Sequence, residues 1–153
     1  MNIIPNKIDY KNIYYSQPVK NNIIDYGSFI HIGYSDAIVN LNGIYSSVKM
    51  KITTCKKYFN KINVTFNYED NANVINELLK LEKNILTKID KKSYNPVFKL
   101  HEQLLSEEIR VYNRYSVEGG SFAKDEIEIM LKISGIWIND YSYGLTFKYM
   151  TIT

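Results

Sequence analysis

Cysteine is nearly missing from this chain: Cys55 is the sole one in 153 residues, which excludes an internal disulfide and any cysteine-rich zinc site. Histidine is almost as scarce. His31 and His101 lie far apart in sequence, so a histidine-based metal cluster is not expected. No apolar run approaches the roughly 20 residues that a membrane helix requires. The first ten residues carry Pro5, Lys7 and Asp9 and lack the apolar block of a signal peptide. The expectation is a cytoplasmic protein with no membrane association. Catalytic signatures are missing as well. Gly119-Gly120 stands without the Lys-Ser/Thr of a phosphate-binding loop, and no Gly-x-Ser-x-Gly elbow occurs. Cys55 would act as a nucleophile only with a histidine folded beside it. The adjacent carboxylates Glu107-Glu108 and Asp125-Glu126 read as solvent contacts in loops. Neither an enzymatic activity nor a cofactor is expected.

What is present fits one domain with a real core. The chain is 45% hydrophobic and 23% charged, which is ordinary for a globular protein and excludes wholesale disorder. A net charge of +3 is compatible with a polyanionic partner. That charge is unevenly spread. Between Tyr45 and Phe66 stand Lys49, Lys51, Lys56, Lys57 and Lys61 with no acidic residue, whereas Glu118, Asp125, Glu126 and Glu128 face only Lys124 between 118 and 128. Among the aromatics, tyrosine dominates, 14 against 6 Phe and 1 Trp.

Hydrophobic periodicity outlines the elements. Residues 1–27 contain Pro5, Pro18 and the polar run Lys20-Asn21-Asn22 and read as an irregular arm with one strand around Asn12 to Ser16. Strands are expected at Ser28 to Tyr34 and at Ala37 to Leu41, followed by an Asn42-Gly43 turn. From Ile44 to Thr54, Val48, Met50 and Ile52 alternate with Tyr45, Lys49 and Lys51. A strand from Ile62 to Tyr68 repeats the pattern, and Cys55 to Asn60 reads as a loop. Over residues 73–90 the period changes to that of a helix, with Val74, Ile75, Leu78, Leu79, Leu81, Ile85, Leu86 and Ile89 at helical spacing; Asn71 or Asn73 is placed to cap it. Further strands are expected at Val97 to Leu100, Glu108 to Tyr115 and Glu126 to Ile133. Gly135 should break that last strand before Ile136-Trp137-Ile138, and Tyr143 to Met150 closes the series.

Many short strands around one central helix, about 73–90, predict a mainly β fold, an oligonucleotide/oligosaccharide-binding (OB)-like barrel formed by a single domain over 1–153. Basic residues alternate with aromatics on its strands: Tyr45 with Lys49 and Lys51, Arg110 and Arg114 with Tyr112, Lys56 and Lys57 with Tyr58, and Lys148 near Trp137. Single-stranded nucleic acid is held by this combination, because its phosphates need a positive groove and its bares bases stack on flat rings. Phe66, Tyr68, Phe147 and Tyr149 fall on the apolar sides of their strands and read as core.

The segment Ile133-Ser134-Gly135-Ile136-Trp137-Ile138, followed by Tyr143-Gly144-Leu145-Thr146-Phe147-Lys148-Tyr149, resembles the closing hairpin of OB-fold single-stranded-DNA-binding proteins of nucleocytoplasmic large DNA viruses. Cytoplasmic linear plasmids of yeasts carry related replication systems. The resemblance implies a protein that coats displaced single-stranded DNA during replication, as a homo-oligomer or beside replication proteins such as a DNA polymerase. It carries over Trp137, Phe147 and Lys148: Lys148 to contact phosphate, Trp137 either to stack on a base or to pin the barrel end. The chain ends in Met150-Thr151-Ile152-Thr153 and not in the acidic tail of bacterial-type single-strand binders. Two rival readings are an OB-type protein-interaction module without DNA affinity and a small nuclease using carboxylates of the 118–128 region.

Overall fold

The computed structural model describes residues 8–20, 27–36, 40–89, 92–113 and 125–152. The fold is mainly β. Its strands are β1 (Ile13–Tyr15), β2 (Val19–Lys20), β3 (Ser28–Ser35), β4 (Asn40–Leu41), β5 (Ile44–Lys51), β6 (Thr54–Tyr58), β7 (Lys61–Thr65), β8 (Asn95–Val97), β9 (Glu108–Tyr112), β10 (Glu126–Ile138) and β11 (Ser142–Thr151). Two α-helices accompany them among the described residues, α1 (Ala72–Thr87) and α2 (Lys99–Leu105). The strands form a single sheet with the order β1-β3-β10-β11-β9-β7-β6. The two ends of that order, β1 and β6, are not paired with each other among the described residues.

β10 organises the sheet. Its alternating Ile127, Ile129, Leu131 and Ile133 face the core. One edge pairs with β11 from Ile129 to Ile138. The other edge pairs first with β5, through residues 126–133, and then with β3, through residues 135–138. The handover takes place at a β-bulge between Ile133 and Gly135. Gly135 therefore does not end the strand, as expected from sequence, but bends it. A Cβ there would lie 2.2 Å from the Ile30 carbonyl oxygen, so only glycine lets β3 approach. Asn42-Gly43 is a bend, with Gly43 at φ 133°, that joins β4 to β5 without pairing them: β4 pairs with β3 and β5 with β10.

The helix of residues 73–90 is present as α1. Ile75, Leu78, Leu81, Ile85 and Leu86 are buried and pack in one core with the inner face of the sheet. Asn71 stands at its N-terminal boundary but does not cap it. Its amide instead accepts the Lys51 N–H (2.8 Å) and donates to the Lys51 carbonyl (2.9 Å), fastening the helix start to the end of β5.

Two expectations are corrected. Val97 to Leu100 is not a strand: the chain makes the short β8 and then α2, whose Leu100 and Leu104, four residues apart, are buried together. Cys55 to Asn60 is not a loop but mostly β6, antiparallel to β7. Lysines at 56 and 57 suggested a loop, yet an edge strand tolerates them on either face, where they also discourage pairing with foreign strands. Elsewhere the outcome is closer to expectation. The strand near 12–16 is β1; of Ala37 to Leu41 only β4 lies within the described residues. β7 stops at Thr65, and Tyr68 lies beyond it in a turn, its hydroxyl donating to Asn76 Oδ1 at 2.7 Å. Phe66 and Tyr149 are buried, while Tyr68 and Phe147 are half-buried against the core.

Candidate nucleic-acid interface

Strand register decides which outward side chains become neighbours, since residues directly opposite on paired strands lie about 5 Å apart. Two adjacent rows cross the outer face. In the first, Tyr45 on β5 stands opposite Lys132 on β10, and Lys132 opposite Lys148 on β11. The row resumes on β9 with Arg110, opposite Asn63 on β7, which in turn faces Lys56 on β6. In the second row, Ser47, Met130, Met150, Tyr112, Lys61 and Tyr58 follow one another across the same six strands.

The rows contain an open groove of about 1060 Å³. β9 and β11 run parallel and share only the pairs Tyr149↔Val111 and Met150↔Tyr112. Thr151 Oγ1 donates to Asn113 Oδ1 at 3.4 Å on one side of this contact; on the other, Gln103 and Ser106, at the end of α2, contribute to the lining. Three cations, Arg110, Lys132 and Lys148, line the groove against one carboxylate, Glu108. Two of its rings are already coupled to ammonium groups: Lys132 Nζ lies 5.4 Å from the Tyr45 ring centroid, and Lys61 Nζ 5.4 Å from that of Tyr112. Such contacts contribute about 0.5–1 kcal/mol at exposed sites.

Six of the sequence-predicted site residues thus share these rows: Tyr45, Lys56, Tyr58, Arg110, Tyr112 and Lys148. Lys49 and Lys51 share their face but stand opposite Glu128 and Glu126, and Glu128 also accepts a hydrogen bond from Ser47 Oγ at 2.7 Å. The lysine-rich and acid-rich segments, separate in sequence, are therefore paired in space. A smaller cleft of about 330 Å³ beside Lys49 and Lys51 is lined by Glu69, Asp70 and Glu126, and carries no cationic excess. Lys57 is on β6 opposite Ile62, on the face turned from the rows. Arg114 lies outside the described residues, as does Glu118. Trp137 stands beyond the bulge, opposite Gly144 and Phe29, half-buried. Its ring covers the bare backbone of Gly144, where a Cβ would lie 2.8 Å from Cζ2, and it is not part of the groove lining. Phe147 is part of that lining and meets Tyr149 edge-on at 5.9 Å.

Lys132 was missed from sequence. Its signal was present: it is the one basic residue of the alternating strand Glu126–Ile138. Lys61 and Asn63 were visible as outward residues on β7, but their relation to Arg110 and Tyr112 follows from pairing that no local pattern encodes.

Two further titratable groups lie outside the groove lining, Tyr15 and Cys55. The Tyr15 hydroxyl, pushed up to about 12 by burial, donates to the Ile85 carbonyl at 3.2 Å and ties β1 to α1. Burial raises the Cys55 thiol, which lowers its thiolate fraction. Cys55 stands on β6, at one end of the sheet order, and His31 on β3 near the other. Among the described residues no cluster of three His, Cys, Asp or Glu has metal-binding geometry, and no helix is long and apolar enough to cross a membrane. Compared with protein-family models, curated proteins and solved structures, the chain has no significant match.

Proposed function

We propose that the outer face of β5, β10, β11, β9, β7 and β6 binds single-stranded DNA without sequence preference, and that the sheet with its helix α1 is an OB-like variant. The observation that carries this reading is the row Tyr45, Lys132, Lys148, Arg110, Asn63, Lys56, with Tyr112, Lys61 and Tyr58 beside it. Cations in line suit a sugar–phosphate backbone, and rings among them suit unpaired bases, each stacked base contributing roughly 1–3 kcal/mol. Six strands at about 4.8 Å spacing span about 24 Å, the reach of a few nucleotides and the lower end of the site sizes of single OB folds. A duplex offers no exposed base faces to the tyrosines, so preference for the single strand follows from the same chemistry.

In this reading the protein coats a displaced strand and keeps it from reannealing. From the hairpin resemblance we infer that it acts in a cytoplasmic replication system of a large DNA virus or a linear plasmid, beside replication proteins. The test is fluorescence anisotropy with labelled oligo(dT) of about 30 nucleotides, a length with room for several such sites, in EDTA, at low and high salt, with duplex as competitor. Binding that weakens with salt and resists duplex competition is the expected result. No binding at low salt refutes it and leaves the protein-interaction reading.

A further inference from the structure

The hairpin of β6 and β7 closes through a two-residue turn, Phe59-Asn60, between the paired Tyr58 and Lys61. Phe59 has φ 47° and is 99% exposed. A positive φ at the first position of such a turn favours glycine, and for a bulky aromatic it is strained. Full exposure means that no burial compensates for the strain. Closing the hairpin requires neither property, because glycine or asparagine would do so with less cost. An outlier of this kind is a reason to look for a function.

The surroundings narrow that function. The turn is braced, because the Asn113 N–H donates to the Asn60 carbonyl at 2.8 Å and extends the pairing of β7 with β9 past the strand end. Phe59 therefore projects from a tip tied to a third strand. Its neighbours are cationic or aromatic. Lys56 and Lys57 precede it, Tyr58 is 53% exposed, and Lys61 covers the Tyr112 ring. No acidic residue occurs between Tyr45 and Tyr68. Tyr58, adjacent to Phe59, ends the second row, so the tip stands where a strand lying along that row would enter or leave.

We propose that Phe59 is a strand-separating wedge: at a junction of duplex and single strand it inserts between the last stacked bases while the adjoining rows hold the released strand. The inference rests on the single-strand reading above and deepens it. Apolar side chains inserted between base steps unstack them, and a fully exposed ring projecting from a braced turn is placed for insertion. The lysines flanking the tip attract the two phosphate strands that converge at a fork. They equally oppose a second copy of this chain, whose tip carries the same charge.

The test compares wild type, Phe59→Gly and Phe59→Leu on a forked duplex with a fluorophore and quencher at the junction, without nucleotide triphosphate, alongside anisotropy with oligo(dT). Glycine relieves the turn, so the first variant should fold at least as stably as wild type. The expected result is a loss of fork opening of about tenfold or more, as removal of an unstacking wedge implies, with oligo(dT) affinity changed less than about threefold, because the rows remain. Phe59→Leu should retain part of the opening. Undiminished opening by Phe59→Gly overturns the wedge, as does a wild type that binds oligo(dT) and opens no fork. Failure of wild type to bind oligo(dT) overturns both the wedge and the single-strand reading, and so separates the two failures.

Discussion

Glu82 lies fully buried on α1 within the stripe of Ile75, Leu78, Leu81 and Ile85, and its two carboxylate oxygens accept the Leu100 N–H at 2.9 Å and the His101 N–H at 3.0 Å. One helix thus caps the next. Burial raises its pKa above the ordinary 4.5, the two hydrogen bonds oppose that shift, and Glu102 adds to it. The folded state then holds the proton more tightly than the unfolded chain, so this group's contribution to stability falls as pH rises from 4.5 through the raised value. Glutamine can accept one N–H but turns an amino group toward the other. Glu82→Gln should therefore cost about 1–3 kcal/mol, measured by urea unfolding. Its deficit relative to wild type should shrink as pH rises through that window. A deficit that grows with pH would mean that the hydrogen bonds outweigh burial. From sequence, Glu82 looked like one more polar position on an amphipathic helix. Its role depends on α2, which the periodicity did not reveal. Outward residues on strands were easier to read, since alternation alone turned Tyr45, Arg110, Tyr112 and Lys148 to the surface.

At the scale of elements, long periodic segments were legible and short ones were not. α1, β5, β10 and β11 each carry enough repeats to fix their period, whereas α2 has seven residues and β6 five. β6 was hidden because its lysines and Tyr58 obey no alternation: an edge strand beyond the core has no buried face to enforce one. Gly135 was read as a strand end because glycine usually interrupts a strand. Its actual use, a bulge that passes β10 from β5 to β3, depends on two partners that are far away in sequence. The packing of α1 can be checked directly. Leu78 is fully buried against the sheet, so Leu78→Ala should destabilise by roughly 2–5 kcal/mol in denaturant unfolding. A change below about half a kcal/mol, the range of ordinary surface substitutions, would mean that the stripe is not packed.

Charge at the scale of the whole molecule differs from charge along the sequence. The chain carries +3 in total, but the register cancels Lys49 and Lys51 against Glu128 and Glu126 and leaves the cationic excess on the rows of β6, β7, β9, β10 and β11. Lys56, Lys61, Arg110, Lys132 and Lys148 are the five cations there. Each phosphate neutralised on a single strand releases counterions worth about 0.7 in the slope of log K against log salt. If all five engage, the slope for oligo(dT) should be about −3.5. Arg110→Ala combined with Lys148→Ala should flatten it to about −2 and weaken binding, because two of the five contacts are gone. Lys49→Ala combined with Lys51→Ala removes the same formal charge. It should move the slope less, because those lysines face carboxylates and lie outside the groove. Equal effects of the two double substitutions would show that the polyanion responds to net charge and not to the rows. A slope changed only by Arg110 and Lys148 would locate the strand in the opening between β9 and β11.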